Sequence, residues 1–283
     1  MPYQLIVENE NGEQLELTNN RNFDILDVSG TNPPVASINT VDVAGFDGSR
    51  FNSSRVQQRN IVLVLNIHHP IEANRLTLYN FFRTKRKIRL YYKNSHRNVY
   101  IDGYVESFEN SPWTQLQQPQ ISIICPNPFW QDLADTFIRF SDSIPLFSFP
   151  FSIPSSGIPF SELQQATELS VDVGEIETGG IIQFFATADH VVNPIFYNVT
   201  TNQQFGVAVD MMQNDLLTIN TNQGEKSVTL LHNGVKTNLL ADRTTGSEWI
   251  TFKPGVNVLS YDASALLTNL DCSLKIRRKF EGV

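Results

Sequence analysis

The side chains best suited to chemistry are few and scattered along the 283 residues. The five histidines are His68, His69, His96, His190 and His232. His68 and His69 close a strand-like run, where successive side chains point to opposite faces, so the pair cannot share one metal ion. No HExxH helix, paired Cys-x-x-Cys or EF-hand loop occurs, nor a GxSxG elbow, P-loop or GxGxxG turn. Asp102, Glu106 and Glu109 lie in an alternating run. Asp102 and Glu106 share a face there, as a glycosidase acid pair would, but solvated strand positions explain them more simply. Cys125 and Cys272 are far apart and read as buried, reduced thiols. The sequence therefore predicts no enzyme: no catalytic residue, no cofactor site and no metal-ligand set.

Two features point to binding instead. The first is the basic run Arg83, Lys85, Arg86, Lys87 and Arg89. It is either a patch that meets an acidic partner, another subunit included, or favourable charge at a helix C-terminus. The second is the Asn, Gln, Asp and aromatic content of the second half, which suits carbohydrate recognition. Trp249, Tyr197 and Phe196 are its candidate platforms, and core aromatics are the plainer reading of each. Net charge is −8. Residues 1–133 carry 12 basic and 13 acidic side chains and the remainder 9 and 16, or −1 and −7. Neither half has the positive excess of a nucleic-acid binder, and few aromatics accompany the basic run. No stretch approaches the roughly 20 apolar residues of a membrane span. The N-terminus reads as lacking a secretory signal, so synthesis and folding in a cytoplasm are expected.

These residues must be positioned by strands, because Phe, Val, Ile and Thr dominate the apolar set. Residues 60–68 are apolar at Ile61, Leu63, Leu65 and Ile67 and again at Val62 and Val64, which predicts a central strand buried on both faces. Pro70 suits the first turn of a helix, with Glu72 near its N-terminus. Leu76, Tyr79 and Phe82 form its predicted apolar stripe, widened by Leu78 and Phe81, and the basic run follows at its end. Strands at 88–92, 99–105 and 120–125 come next. Residues 30–58 hold two turn clusters around weakly apolar segments. They form either a mobile surface loop or a projecting arm that reaches a neighbouring subunit.

Two prolines end the first half at Cys125-Pro126-Asn127-Pro128-Phe129-Trp130. Residues 144–158 interleave Pro145, Pro150 and Pro154 with Phe147, Phe149 and Phe151, as an edge segment would. From residue 178 short strands recur at about ten-residue spacing, the rhythm of a β-sandwich or jelly roll. Asn233-Gly234 marks a tight hairpin there.

Taken in order, these strings resemble the distal tail (Dit) proteins of long-tailed, non-contractile bacteriophages over nearly the whole chain. The resemblance rests on Gly45-Phe46-Asp47-Gly48, Arg59-Asn60-Ile61, the helix at 71–82, Gly103-Tyr104-Val105-Glu106-Ser107-Phe108-Glu109 and the segment Gln120 through Trp130. Further on it rests on Phe149-Pro150-Phe151, Val173-Gly174-Glu175-Ile176-Glu177-Thr178-Gly179, Asn193-Pro194, Asp215-Leu216-Leu217-Thr218-Ile219-Asn220-Thr221, Gly255-Val256-Asn257 and Gly282-Val283. Asn214 stands where relatives tend to have Gly, and Asn tolerates the left-handed turn that position needs. No long insertion of the kind that carries carbohydrate-binding modules in some relatives is present.

The resemblance implies a mainly β protein. Residues 1–134 would be a β-sandwich-like domain with one α-helix, forming a homohexameric ring, and residues 135–283 a galectin-like β-sandwich (jelly-roll) domain outside it. Residues 30–58 would be a hairpin arm clasping the next subunit. The ring would be a virion structural protein, a baseplate hub at the distal end of a siphophage tail. It would join the major tail tube protein and the tape-measure protein end to the tail-tip protein or tail-associated lysin, and DNA would pass through without specific binding. A receptor-binding protein is a further expected partner. The other function weighed is a carbohydrate-binding adsorption module, with the second domain recognising host cell-wall saccharide.

Overall fold

A computed structural model describes residues 3–45, 47–114, 116–145, 161–165 and 168–283. The chain divides into two compact units, Met1–Leu133 with Lys279–Val283, and Ala134–Arg278.

In the first unit the strands are β1 (Tyr3–Asn9), β2 (Gln14–Glu16), β3 (Phe23–Ser29), β4 (Ala36–Asp42), β5 (Ser49–Val56) and β6 (Arg59–Ile67). Helix α1 (Ile71–Phe81) follows, then β7 (Lys87–Asn94), β8 (Asn98–Glu109), β9 (Gln120–Cys125) and β10 (Trp130–Asp132). One antiparallel sheet runs β2-β1-β7-β8-β9-β6-β3, and β10 pairs with β8. Alternation builds its inner face: Val7, Ile61, Leu63, Leu65, Leu90, Ile101, Ile121 and Ile123 are buried together with Leu78 and Phe82 from the helical segment. Strand β6 lies next to the edge strand β3, and its Val62 and Val64 are only half-buried, so it is covered on one face rather than both.

The helix also departs from expectation. Pro70 is the N-cap, outside the first turn. Leu76 and Tyr79 are exposed, and the buried positions are Asn74, Leu78 and Phe82. A three-residue step falls short of the 3.6-residue turn and drifts around the axis, whereas the four-residue steps from Asn74 to Leu78 and on to Phe82 stay on the stripe facing the sheet. Asn74 earns its burial by donating from Nδ2 to the His68 carbonyl at 2.9 Å.

The second unit holds β11 (Thr136–Arg139), β12 (Ser141–Pro145), β13 (Ser161–Gln165), β14 (Glu168–Asp172), β15 (Ile181–Ala186), β16 (Val191–Asn198), β17 (Gln203–Gly206) and β18 (Asp210–Met211). It continues with β19 (Leu216–Asn220), β20 (Ser227–His232), β21 (Val235–Asn238), β22 (Val256–Ala265) and β23 (Leu270–Ile276). One sheet runs β11-β23-β15-β19-β20-β21; the other runs β14-β22-β16-β17 with β18 beside β16. Their inner faces share a core of Ile182, Phe184, Phe196, Phe205, Leu217, Ile219, Leu259, Tyr261 and Leu274, which makes a β-sandwich. The turn residues behave as their chemistry dictates: Asn214 has φ 68°, and Asn233 and Gly234 have φ 49° and 79° between β20 and β21. The phenylalanines at 147, 149 and 151, with Pro150 and Pro154, lie outside the described residues.

The sequence reading runs the second domain to residue 283. The structure instead returns Lys279–Val283 to the first unit. There β24 (Lys279–Phe280) pairs with β10, Arg97 donates from Nη1 to the Gly282 carbonyl at 2.8 Å, and the Val283 amide donates to the Thr31 carbonyl at 3.3 Å.

Candidate interface: the arm and its root

Among the described residues, strands β4 and β5 pair only with each other, as a two-stranded hairpin. No residue in either strand is buried. The ladder skips one residue of β5, pairing Asn39 with Ser53 and then Thr40 with Phe51. That bulge keeps Phe51 on the face of Ile38 and Val56, because paired residues share a face. The opposite face carries Ser37, Asn39, Val41, Arg50, Ser53 and Arg55. Ile38 is 65% exposed and Phe51 61%. A lone hairpin is marginally stable in water, and an apolar stripe exposed on one is a candidate contact surface.

The root is held far more firmly than the arm itself. Arg59 opens β6 and is only 3% exposed. Its Nη1 donates to the carbonyls of Gly30 and Asn32, both at 2.7 Å, and its Nε to that of Pro128 at 2.7 Å. Nη2 donates to the Glu281 carbonyl. One planar guanidinium thus fastens the start of the arm, the proline-bounded segment and the C-terminal return. Burial lowers its pKa from the usual arginine value, with Cys125 and Glu281 opposing. Gly30 has φ +81°, and a Cβ there would lie 2.0 Å from the Asn60 carbonyl oxygen, so the chain can enter the arm this close to β6 only without a side chain.

The basic run begins directly after the C-cap Phe82, outside the last turn of α1, which holds no basic residue. Arg83, Lys85 and Arg86 lie in the connection, and Lys87 and Arg89 on β7. There they meet acids. Arg89 donates from Nε and Nη2 to the two carboxylate oxygens of Asp102 at 2.6 and 3.0 Å, Lys87 Nζ lies 3.1 Å from Asp102, and Arg86 lies 3.4 Å from Glu10. Burial alone would raise the Asp102 pKa; hydrogen bonds from Arg89 and Lys87 outweigh it and hold it below the usual range. Glu106 accepts a 2.8 Å hydrogen bond from Ser122. Asp102 and Glu106 are therefore each tied to their own partners on the outer face of the sheet.

The remaining candidates are likewise placed. His68, His190 and His232 pair separately with Asp24, Asp210 and Asp215. No group of three or more metal-ligating side chains occurs among the described residues. Cys125 and Cys272 are free and buried, and burial pushes the Cys125 thiol up to about 12. Phe196 is a core residue. The Trp249 ring is covered by Phe205 at 4.9 Å and by Lys226 and Arg243 at 5.3 and 5.7 Å, so it is closed as a sugar platform. Tyr197 lines a surface cavity. No helix among the described residues is long and apolar enough to cross a membrane. Sequence reasoning missed Arg59 as a keystone. Its one signal was an arginine at the head of a mostly apolar strand.

Residues 10–125 match the family model described as the phage tail protein RIFT-related domain. The match lies within the first unit and spans less than half of the chain. The chain's fold over the full length is that of the distal tail, or Dit, hub proteins. The Dit protein (gp 19.1) of SPP1, described as a paradigm of the hub adsorption apparatus in phages infecting Gram-positive hosts, is 11% identical, with 98% of this chain and 99% of that chain covered and a TM-score of 0.69. A chain of the phage p2 baseplate in its activated conformation with Ca is 13% identical, fully covered on both sides, with a TM-score of 0.56. Its counterpart with Sr gives 12% identity, 99% coverage of both chains and 0.54. No curated protein sequence matches the chain.

Proposed function

We propose that the chain is the structural hub of a long, non-contractile phage tail and has no enzymatic activity. Six copies of the first unit close into a ring, and the arm of each clasps its neighbour through the stripe of Ile38, Phe51 and Val56. The ring joins the major tail tube protein and the tape-measure end to the tail-tip protein or tail-associated lysin. The galectin-like second unit docks peripheral proteins such as a receptor-binding protein. The protein is made in the host cytoplasm and ends in the virion.

The observation that carries this reading is the amphipathic arm on its fixed root. An exposed apolar hairpin is a liability unless an identical neighbour covers it, and a ring supplies one at every position. The near-neutral first half suits a channel through which DNA slides, since excess positive charge would hold the phosphates. Negative-stain images of the purified protein test the proposal. Closed rings are expected, and a field of single small particles at high concentration would count against it.

A further inference from the structure

The outer face of the five-stranded sheet in the second unit carries a row of polar side chains set by strand register. Glu168 pairs with Ser260, Ser260 with Tyr197, and Tyr197 with Gln204. Their chain neighbours Leu259, Tyr261, Phe196 and Phe205 are buried in the sandwich core, so this row points the other way. A cavity of about 440 Å³ opens on it, lined by Tyr197, Asn202, Gln203, Gln204, Glu248 and Ser260. That volume falls within the range of small-ligand sites.

The lining is both fixed and unspent. Gln203 is held in place, its Oε1 accepting from the Thr251 amide and the Thr201 hydroxyl, each at 3.0 Å. Gly246, with φ +82°, leaves room beside the Gln204 amide, where a Cβ would lie 3.2 Å from Nε2. Among the described residues no side-chain hydrogen bond engages the Tyr197 hydroxyl, the Asn202 and Gln204 amides, the Glu248 carboxylate or the Ser260 hydroxyl. Together they offer donors and acceptors in a mixed set around one aromatic ring. Sugar hydroxyls, which donate and accept at once, match that set, and an aromatic ring suits the C–H face of a pyranose. No basic side chain lines the cavity, while Glu248 lines it and Asp262 acts on the Tyr197 hydroxyl. That charge disfavours phosphate-bearing polymers.

We propose that this cavity binds a neutral saccharide. The proposal is independent of the ring, because it rests on the second unit alone. The test is saturation-transfer NMR and calorimetry on the full chain with di- and trisaccharides of glucose, galactose, mannose and N-acetylglucosamine, beside a glycerol-phosphate oligomer as the anionic probe. At least one neutral sugar should bind at millimolar strength, and Tyr197→Ala and the surface change Glu248→Gln should each weaken it about tenfold or more. Absence of binding by every neutral sugar at ~10 mM, preference for the glycerol-phosphate oligomer, or binding that survives Glu248→Gln at full strength in folded protein would overturn it.

Discussion

The Arg59 guanidinium donates from Nη1 to the Gly30 carbonyl at 2.7 Å, which ties the first residue of the core strand β6 to the base of the projecting hairpin. Three other carbonyls, of Asn32, Pro128 and Glu281, share the same side chain. Replacing Arg59 with Met keeps the stem and removes every donor. The buried carbonyls then lose their partners, and the first unit should lose about 3 kcal/mol or more of stability. Arg59→Lys should recover little, because an ammonium cannot reproduce the planar fork. Urea unfolding midpoints of the two variants check this.

Gly103 on β8 is packed where no side chain fits: a Cβ would lie 2.6 Å from Ile123 Cγ2 and 2.9 Å from Cys125 Sγ. Gly103→Ala should cost roughly 1–3 kcal/mol through overpacking of the same core. Its thermal midpoint should fall, while a change at the open Gly224, with no atom near its Cβ position, should matter far less to packing.

Two carboxylates make stability acid-sensitive. Hydrogen bonds from Arg277 and Lys275 lower the pKa of Asp135, and those from Arg89 and Lys87 lower that of Asp102. A folded-state pKa below the unfolded value of about 3.9 contributes stability above that pH and loses it as pH falls through the lower folded value. Unfolding free energy should therefore drop below about pH 4, and Asp102→Asn should remove up to ~1 kcal/mol of that loss, a modest figure because the ion pair is partly solvated.

Cys125 and Cys272 should resist thiol reagents in the folded protein. Burial raises both thiols, Cys125 to about 12 and Cys272 well above its ordinary value, so neither supplies thiolate at pH 8. Labelling with a chromogenic disulfide should be slow natively and reach two thiols per chain in denaturant.

Much of the sandwich was legible because its strands obey local rules. Ile181, Ile182, Phe184 and Ala186 announce β15 with the bounds the structure shows, and Asn233-Gly234 can hardly be anything but a tight turn. Gly255-Val256-Asn257 could be seen as a string but not explained. The Asn257 amide lies fully buried, bonded to Lys253, Gly255 and Asn198. The failures were long-range. Nothing local says that Arg59 reaches Glu281, or that Lys279–Phe280 pairs with β10, because those contacts join residues more than 140 positions apart. The helix stripe was misread for a different cause: Leu76 and Tyr79 are apolar enough to imply burial, and only the sheet beneath decides which face of α1 turns inward. The Tyr79 ring instead meets Phe108 edge-on at 4.9 Å on the surface.

The arm carries the central claim. Ile38 and Phe51 are exposed on one face of the hairpin, so changing both to Asp should alter the stability of the single chain by only about 0.5 kcal/mol. Assembly should suffer far more, since each copy would bring two charges into the surface its neighbour must cover. Sedimentation equilibrium on the wild-type full chain and on the Ile38→Asp, Phe51→Asp variant measures this most directly. The account predicts a wild-type species at six times the 32.0 kDa chain mass and a folded monomer for the variant. A wild-type protein that stays at 32.0 kDa at every concentration, or a variant that assembles as well as the wild type, would contradict it.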